Sequence, residues 1–130
     1  FQLGHLDVEV MAIPGHTPGC LAFLVRQERI LFTGDMVLTT PIWLHLDNAL
    51  PLERYLASLH VLKKNSQRFD CLLTSHGEMM IENEMIDKLI SCTEQALAQT
   101  NRGDIVHTPF GDGIQYAYEN VSILGRVEPL

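Results

Sequence analysis

Two histidines and one aspartate each sit beside a glycine at the end of an apolar run. They are His16 in Gly15-His16-Thr17-Pro18-Gly19, Asp35 in Thr33-Gly34-Asp35, and His76 in Ser75-His76-Gly77. Two imidazoles and one carboxylate are a natural ligand set for a borderline cation such as Zn²⁺, with Fe or Mn as alternatives. Neighbouring glycines let backbone and ion approach without a Cβ between them. Asp35 follows the apolar run Ile30-Leu31-Phe32, where an isolated ionised carboxylate is costly and a dication removes the cost. His16 and Asp35 lie 19 positions apart, and His76 lies 41 beyond Asp35. Such separations meet only if three strand ends share one edge of a sheet, where sites in layered folds are commonly built.

The elements that must do this positioning are legible in part. Val8 to Ile13 reads as a strand, closed by Pro14-Gly15. Cys20 to Arg26 and Ile30 to Thr33 are apolar and β-prone, and Gln27-Glu28-Arg29 between them suits an antiparallel hairpin. Met36 to Leu50 is too apolar for a solvated linker and is expected to pack over the core or a ligand. The spacing of Leu52, Tyr55, Leu56, Leu59 and Leu62 predicts a helix from Pro51 to Lys64, with Pro51 at its first position. Phe69 to Thr74 reads as a buried strand delivering His76. A second helix is predicted from Asn83 to Gln99, with Met85, Leu89, Cys92 and Ala96 inward. Gly103 to Leu130 holds two or three strand-like runs, including Gln115–Tyr118 and Val121–Leu124. Partial alternation of strands and helices predicts a layered α/β or α+β domain.

Bulk properties narrow the function. The chain has 130 residues, 46% hydrophobic and 19% charged, which suits one domain. A net charge of -7 repels phosphate backbones, so no nucleic-acid partner is expected. No apolar stretch approaches the length of a membrane span, and no membrane partner is expected. Cys20, Cys71 and Cys92 lack C-x-x-C spacing and read as buried free thiols, consistent with a cytoplasmic, reducing compartment.

Gly15-His16-Thr17-Pro18-Gly19, then Thr33-Gly34-Asp35, then Ser75-His76-Gly77, resembles the later motifs of the metallo-β-lactamase-fold hydrolases, in the order found in the glyoxalase II-like and related broad branches. The specific part of the resemblance covers residues 5 to 80. It implies an α/β (α+β) chain forming half of a four-layer αββα sandwich, with a mixed sheet and flanking helices. It implies one or two Zn²⁺ ions, with His16, Asp35 and His76 as metal ligands. His16 would serve the first metal site, His76 the second, and Asp35 would bridge them and orient the nucleophile in catalysis. The family's H-x-H-x-D-H motif has no match here, so residues 1–130 are expected to be the C-terminal portion of a single domain and inactive alone. An apolar sheet face left open by the missing half is expected to bring association, as a homodimer or with that half.

The expected function is metal-dependent hydrolysis of an ester, thioester or amide-type bond in a small-molecule substrate. The competing readings are an iron-dependent oxidoreductase of the same fold and a non-catalytic truncated domain acting by association. Thr17 is expected to hydrogen-bond His16. His45, in the loop after Asp35, either contacts substrate or simply points outward; His60 and His107 read as structural or loop residues, and Glu78 as a solvated acid. Trp43 either lines an apolar entrance or caps the core.

Overall fold

The computed structural model describes residues 1–127. In chain order the first strands are β1 (Gln2–Leu3), β2 (Leu6–Ala12), β3 (Leu21–Val25), β4 (Ile30–Gly34) and β5 (Ile42–Trp43). Helix α1 (Leu52–Lys64) precedes β6 (Cys71–Thr74) and β7 (Met80–Glu82). Helix α2 (Glu84–Ala98) precedes β8 (Asp104–Thr108), β9 (Gly111–Tyr118) and β10 (Val121–Gly125).

Two mixed sheets result. The six-stranded sheet runs β1-β2-β3-β4-β6-β7 and is antiparallel except for the β4–β6 pair. A parallel pair needs a long crossover, and the segment carrying α1 supplies it. The four-stranded sheet runs β5-β10-β9-β8, with only β5 and β10 parallel.

Alternation along the central strands sorts their side chains. Ala22, Leu24, Leu31 and Leu72 turn to the buried side. Tyr55, Ser58, Leu59 and Leu62 of α1, with Met85, Ile86, Leu89 and Cys92 of α2, join them in one core. Each large apolar side chain so buried contributes about 1.5–3 kcal/mol of transfer free energy. α2 also packs against β9 and β10, and its Cys92 Sγ donates to the Tyr116 carbonyl at 3.3 Å. Lys63 of α1 pairs with Asp87 of α2 at 2.8 Å.

The other side of the six-stranded sheet is bare. Register aligns Val10, Phe23, Phe32, Leu73 and Met80 in one row across five strands. Phe23 is 36% exposed, Phe32 42%, Val10 44% and Met80 61%. The four-stranded sheet packs on α2 and leaves this row uncovered.

Several expectations shift. Pro51 is the residue before α1 rather than its first member, because its ψ of 154° is extended. The Met36–Leu50 segment packs on the core as expected, burying Met36, Val37, Ile42 and Leu44. Of the three cysteines only Cys92 is buried; Cys20 closes a loop and Cys71 starts β6, and both are half-buried. No helix among the described residues is long and apolar enough to cross a membrane.

Candidate metal centre

His16, Asp35 and His76 all line one cavity of about 480 Å³, with Leu38, Thr40, Pro41 and Trp43 as its remaining wall. Each arrives from a different strand end. His16 follows β2 in a loop closed by Gly15 N–H donating to the Thr17 carbonyl at 3.1 Å. Gly15 is obligatory there, since a Cβ would stand 2.9 Å from both Met36 Cε and Tyr55 Cδ1. Asp35 follows Gly34, whose φ of +57° turns the chain out of β4 beside a register shift. His76 follows β6 and precedes Gly77, whose φ of +70° and close approach to the Thr39 hydroxyl both exclude a side chain.

The two imidazoles flank opposite oxygens of one carboxylate. His16 Nε2 lies 3.6 Å from Asp35 Oδ2, and His76 Nε2 lies 3.1 Å from Asp35 Oδ1. Ser75 Oγ also donates to Oδ1. His16 Nδ1 donates to the Trp43 carbonyl at 2.6 Å, which puts the ring proton on Nδ1 and leaves the Nε2 lone pair facing Asp35. A histidine held this way by a carbonyl is oriented as metal-bound imidazoles are. Two donors bound at about 2.1 Å to one tetrahedral ion stand about 3.4 Å apart. The 3.6 Å gap at Oδ2 is too long for a hydrogen bond and fits that spacing. The donor set therefore fits a cation between His16 and Oδ2, while the 3.1 Å separation of His76 from Oδ1 is that of a direct contact. Among the described residues, however, no three His, Cys, Asp or Glu side chains close on one point. Each Asp35 oxygen has one imidazole beside it.

Exposure grades along the set. The His16 side chain is 18% exposed, Asp35 37% and His76 64%.

Thr17 does not serve His16. Its hydroxyl meets Cys20 Sγ at 3.2 Å, and the Trp43 carbonyl takes the expected role. Ser75 and that carbonyl are hydrogen-bond partners of the set that the sequence did not mark. Ser75 carries a signal in its adjacency to His76, whereas a backbone carbonyl has no sequence signal. Trp43 lines the cavity, so the entrance reading holds for it.

His45 stays outside the cavity. It is 8% exposed, with Nε2 3.2 Å from Thr108 Oγ1 and Nδ1 without a partner. Burial, and then the nearby His16, push its pKa below the ordinary histidine value. His60 is exposed on α1, and His107 is exposed and 2.7 Å from Asp112 Oδ1.

Comparison with known proteins places the chain in a family. The model of the Metallo-beta-lactamase superfamily matches residues 1–79. The probable metallo-hydrolase YybB of Bacillus subtilis is 29% identical over 91 residues, covering 66% of this chain and 40% of that protein. The hydroxyacylglutathione hydrolase of Cereibacter sphaeroides is 30% identical over 93 residues, covering 62% and 36%. The mitochondrial persulfide dioxygenase ETHE1 of Bos taurus is 46% identical over 37 residues, covering 28% and 15%. The chain thus spans well under half the length of these curated relatives. Among solved structures, a metallo-beta-lactamase from Pontibacter korlensis superposes with a TM-score of 0.60 at 20% identity, covering 72% of this chain and 44% of that one. The metallo-beta-lactamase FIM-1 from Pseudomonas aeruginosa, in its mono-zinc form, gives 0.58 at 17%, covering 74% and 45%. Because the matched residues carry all three motif segments, this chain belongs to the metallo-beta-lactamase superfamily.

Proposed function

We propose that the protein is a metal-dependent hydrolase of ester, thioester or amide-type bonds, with His16, Asp35 and His76 as ligands of one or two Zn²⁺ ions. The observation that carries this reading is the single carboxylate of Asp35 with a different imidazole at each oxygen. When bound, such ions supply a water acidic enough to ionise near neutral pH and a Lewis-acid contact for a carbonyl oxygen. The chain's own residues do the rest. Trp43 fixes the His16 tautomer through its carbonyl, so that Nε2 is a free donor. Ser75 donates to Oδ1 and so restrains the Asp35 carboxylate between the histidines. Asp35 then has lone pairs left on both oxygens to share between ions and to orient a nucleophilic water.

One imidazole and one carboxylate oxygen give two donors on each side, whereas zinc takes four. The remaining donors come, on this reading, from protein outside these residues, seated on the bare row of the six-stranded sheet. Residues 1–130 alone are then a portion of one domain and turn over no substrate.

Full-length protein, purified without chelator, tests the reading by metal analysis and by hydrolysis of hydroxyacylglutathione and simple aryl esters. Stoichiometric zinc with turnover is expected. Full-length protein that holds no transition metal ends the proposal. The likeness to persulfide dioxygenase ETHE1 favours a second reading, an iron-dependent oxidoreductase. Stoichiometric iron with persulfide-dependent oxygen uptake, in place of hydrolysis, would select it.

A further inference from the structure

The lining of the cavity combines the polar set His16, Asp35 and His76 with Leu38, Thr40, Pro41 and Trp43. Among the described residues no lysine or arginine lines it, so away from the metal ligands the cavity offers no cationic side chain to a charged substrate group. Trp43 is held on several sides. Its backbone pairs with Leu124 of β10, and its carbonyl accepts the His16 ring N–H at 2.6 Å. Its indole meets the His45 ring edge-on at 5.5 Å and the Phe110 ring at 5.8 Å, both ordinary aromatic-pair geometries. His45 is buried against Thr108, and a Cβ on Gly113 would stand 3.1 Å from its ring. The indole is thus preorganised from behind. Phe110, in the turn between β8 and β9, is 71% exposed beside it and continues the apolar surface outward. Thr108, Phe110 and Gly113 all lie beyond the family-matched residues 1–79, so this buttress belongs to a segment the family model does not cover.

We infer that Leu38, Pro41 and Trp43, extended by Phe110, bind a neutral, apolar acyl or aryl group of the substrate, and that Trp43 determines specificity. This rests on the hydrolase reading for its substrate, but the wall itself can be probed without turnover. A flat, rigid indole presents a large apolar face at little entropic cost, and an added methylene against such a surface favours binding several-fold.

Two measurements on the full-length protein test it. Trp43 is the sole tryptophan of this chain. Its emission is titrated with hexanoate, acetate and succinate, and the Trp43→Phe variant subtracts any tryptophan elsewhere in the protein. Hexanoate is expected to saturate the signal at a concentration at least tenfold below acetate, with no saturation by succinate. Equal responses to the three, or none to hexanoate, would overturn the inference. Turnover of 4-nitrophenyl hexanoate and acetate is then compared in Trp43→Ala and Trp43→Phe. The alanine variant is expected to lose at least tenfold in kcat/KM for hexanoate and less than threefold for acetate, with phenylalanine restoring most of the difference. An equal loss for both esters contradicts the inference while leaving the hydrolase reading intact. Selective hexanoate binding without ester or thioester turnover supports the wall and removes that reading.

Discussion

Asp35 is where the candidate ligands converge, because a carboxylate has two oxygens and each here meets a different imidazole. Replacement by asparagine keeps the shape but removes the charge and one acceptor. Asp35→Asn in the full-length protein is therefore expected to lose bound metal and at least about a hundredfold in kcat/KM, read by metal analysis beside the assay. Ser75→Ala removes only the hydroxyl that orients Oδ1, and outer partners of this kind are worth about 10–100-fold in metal affinity or activity. Unchanged metal affinity in the alanine variant would assign Ser75 no role. The three ligand-type residues were legible in the sequence because each lies beside a glycine that the backbone requires: φ is +57° at Gly34 and +70° at Gly77, and Gly15 is crowded. What holds them was not. Thr17 is next to His16 in sequence yet turns to Cys20, while the carbonyl that fixes His16 comes from Trp43, 27 residues away.

Elements bring those residues together, and their ends are tied by specific polar contacts. Glu9 of β2 accepts from Arg68, in the short turn Ser66–Arg68 before β6, and from Arg26 after β3. Hydrogen bonds from Arg68 and then Arg26 lower the Glu9 pKa to about 2. A depressed carboxylate stabilises the fold fully above its ordinary pKa of 4.5 and loses that contribution as pH falls towards 2. Solvent screens this half-exposed cluster, so the contribution is set at about 1 kcal/mol. Glu9→Gln should therefore lower stability by about that amount at pH 7, with the gap to wild type narrowing at pH 3, as measured by urea unfolding. A constant gap would show that the ion pairs do not carry the effect. In α1, Leu59 is fully buried, and Leu59→Ala is expected to cost about 2–5 kcal/mol by the same measurement. Both helices were readable from their apolar stripes, and β2, β3, β4 and β6 from apolar runs ended by glycine or a short turn. Strand β5 has two residues and β7 three, too few for any alternation to register. The pairing of β5 with β10 joins positions about 80 apart, which no local pattern encodes.

Taken whole, the molecule is a core with one side left open. Val10, Phe23, Phe32 and Met80 present a continuous apolar surface that an isolated monomer would expose to water. Sheets cover such faces by packing on another sheet about 10 Å away. The polypeptide of residues 1–130 is accordingly expected to associate at micromolar concentration, and the double variant Phe23→Asp, Phe32→Asp to sediment as a monomer. A compact monomer for the unaltered chain would remove the argument for a missing sheet. The row could not be read from sequence, since these side chains become neighbours only once the strand register is known.

On the proposed reading, Asp35 and the two histidines hold divalent ions in common. Anomalous diffraction at the zinc edge, from crystals of the full-length protein, addresses it directly. Density is expected within coordination distance of both His16 Nε2 and Asp35 Oδ2, with or without a second peak between Asp35 Oδ1 and His76 Nε2. An ordered site in zinc-supplemented crystals with no anomalous peak near any of the three side chains would contradict it.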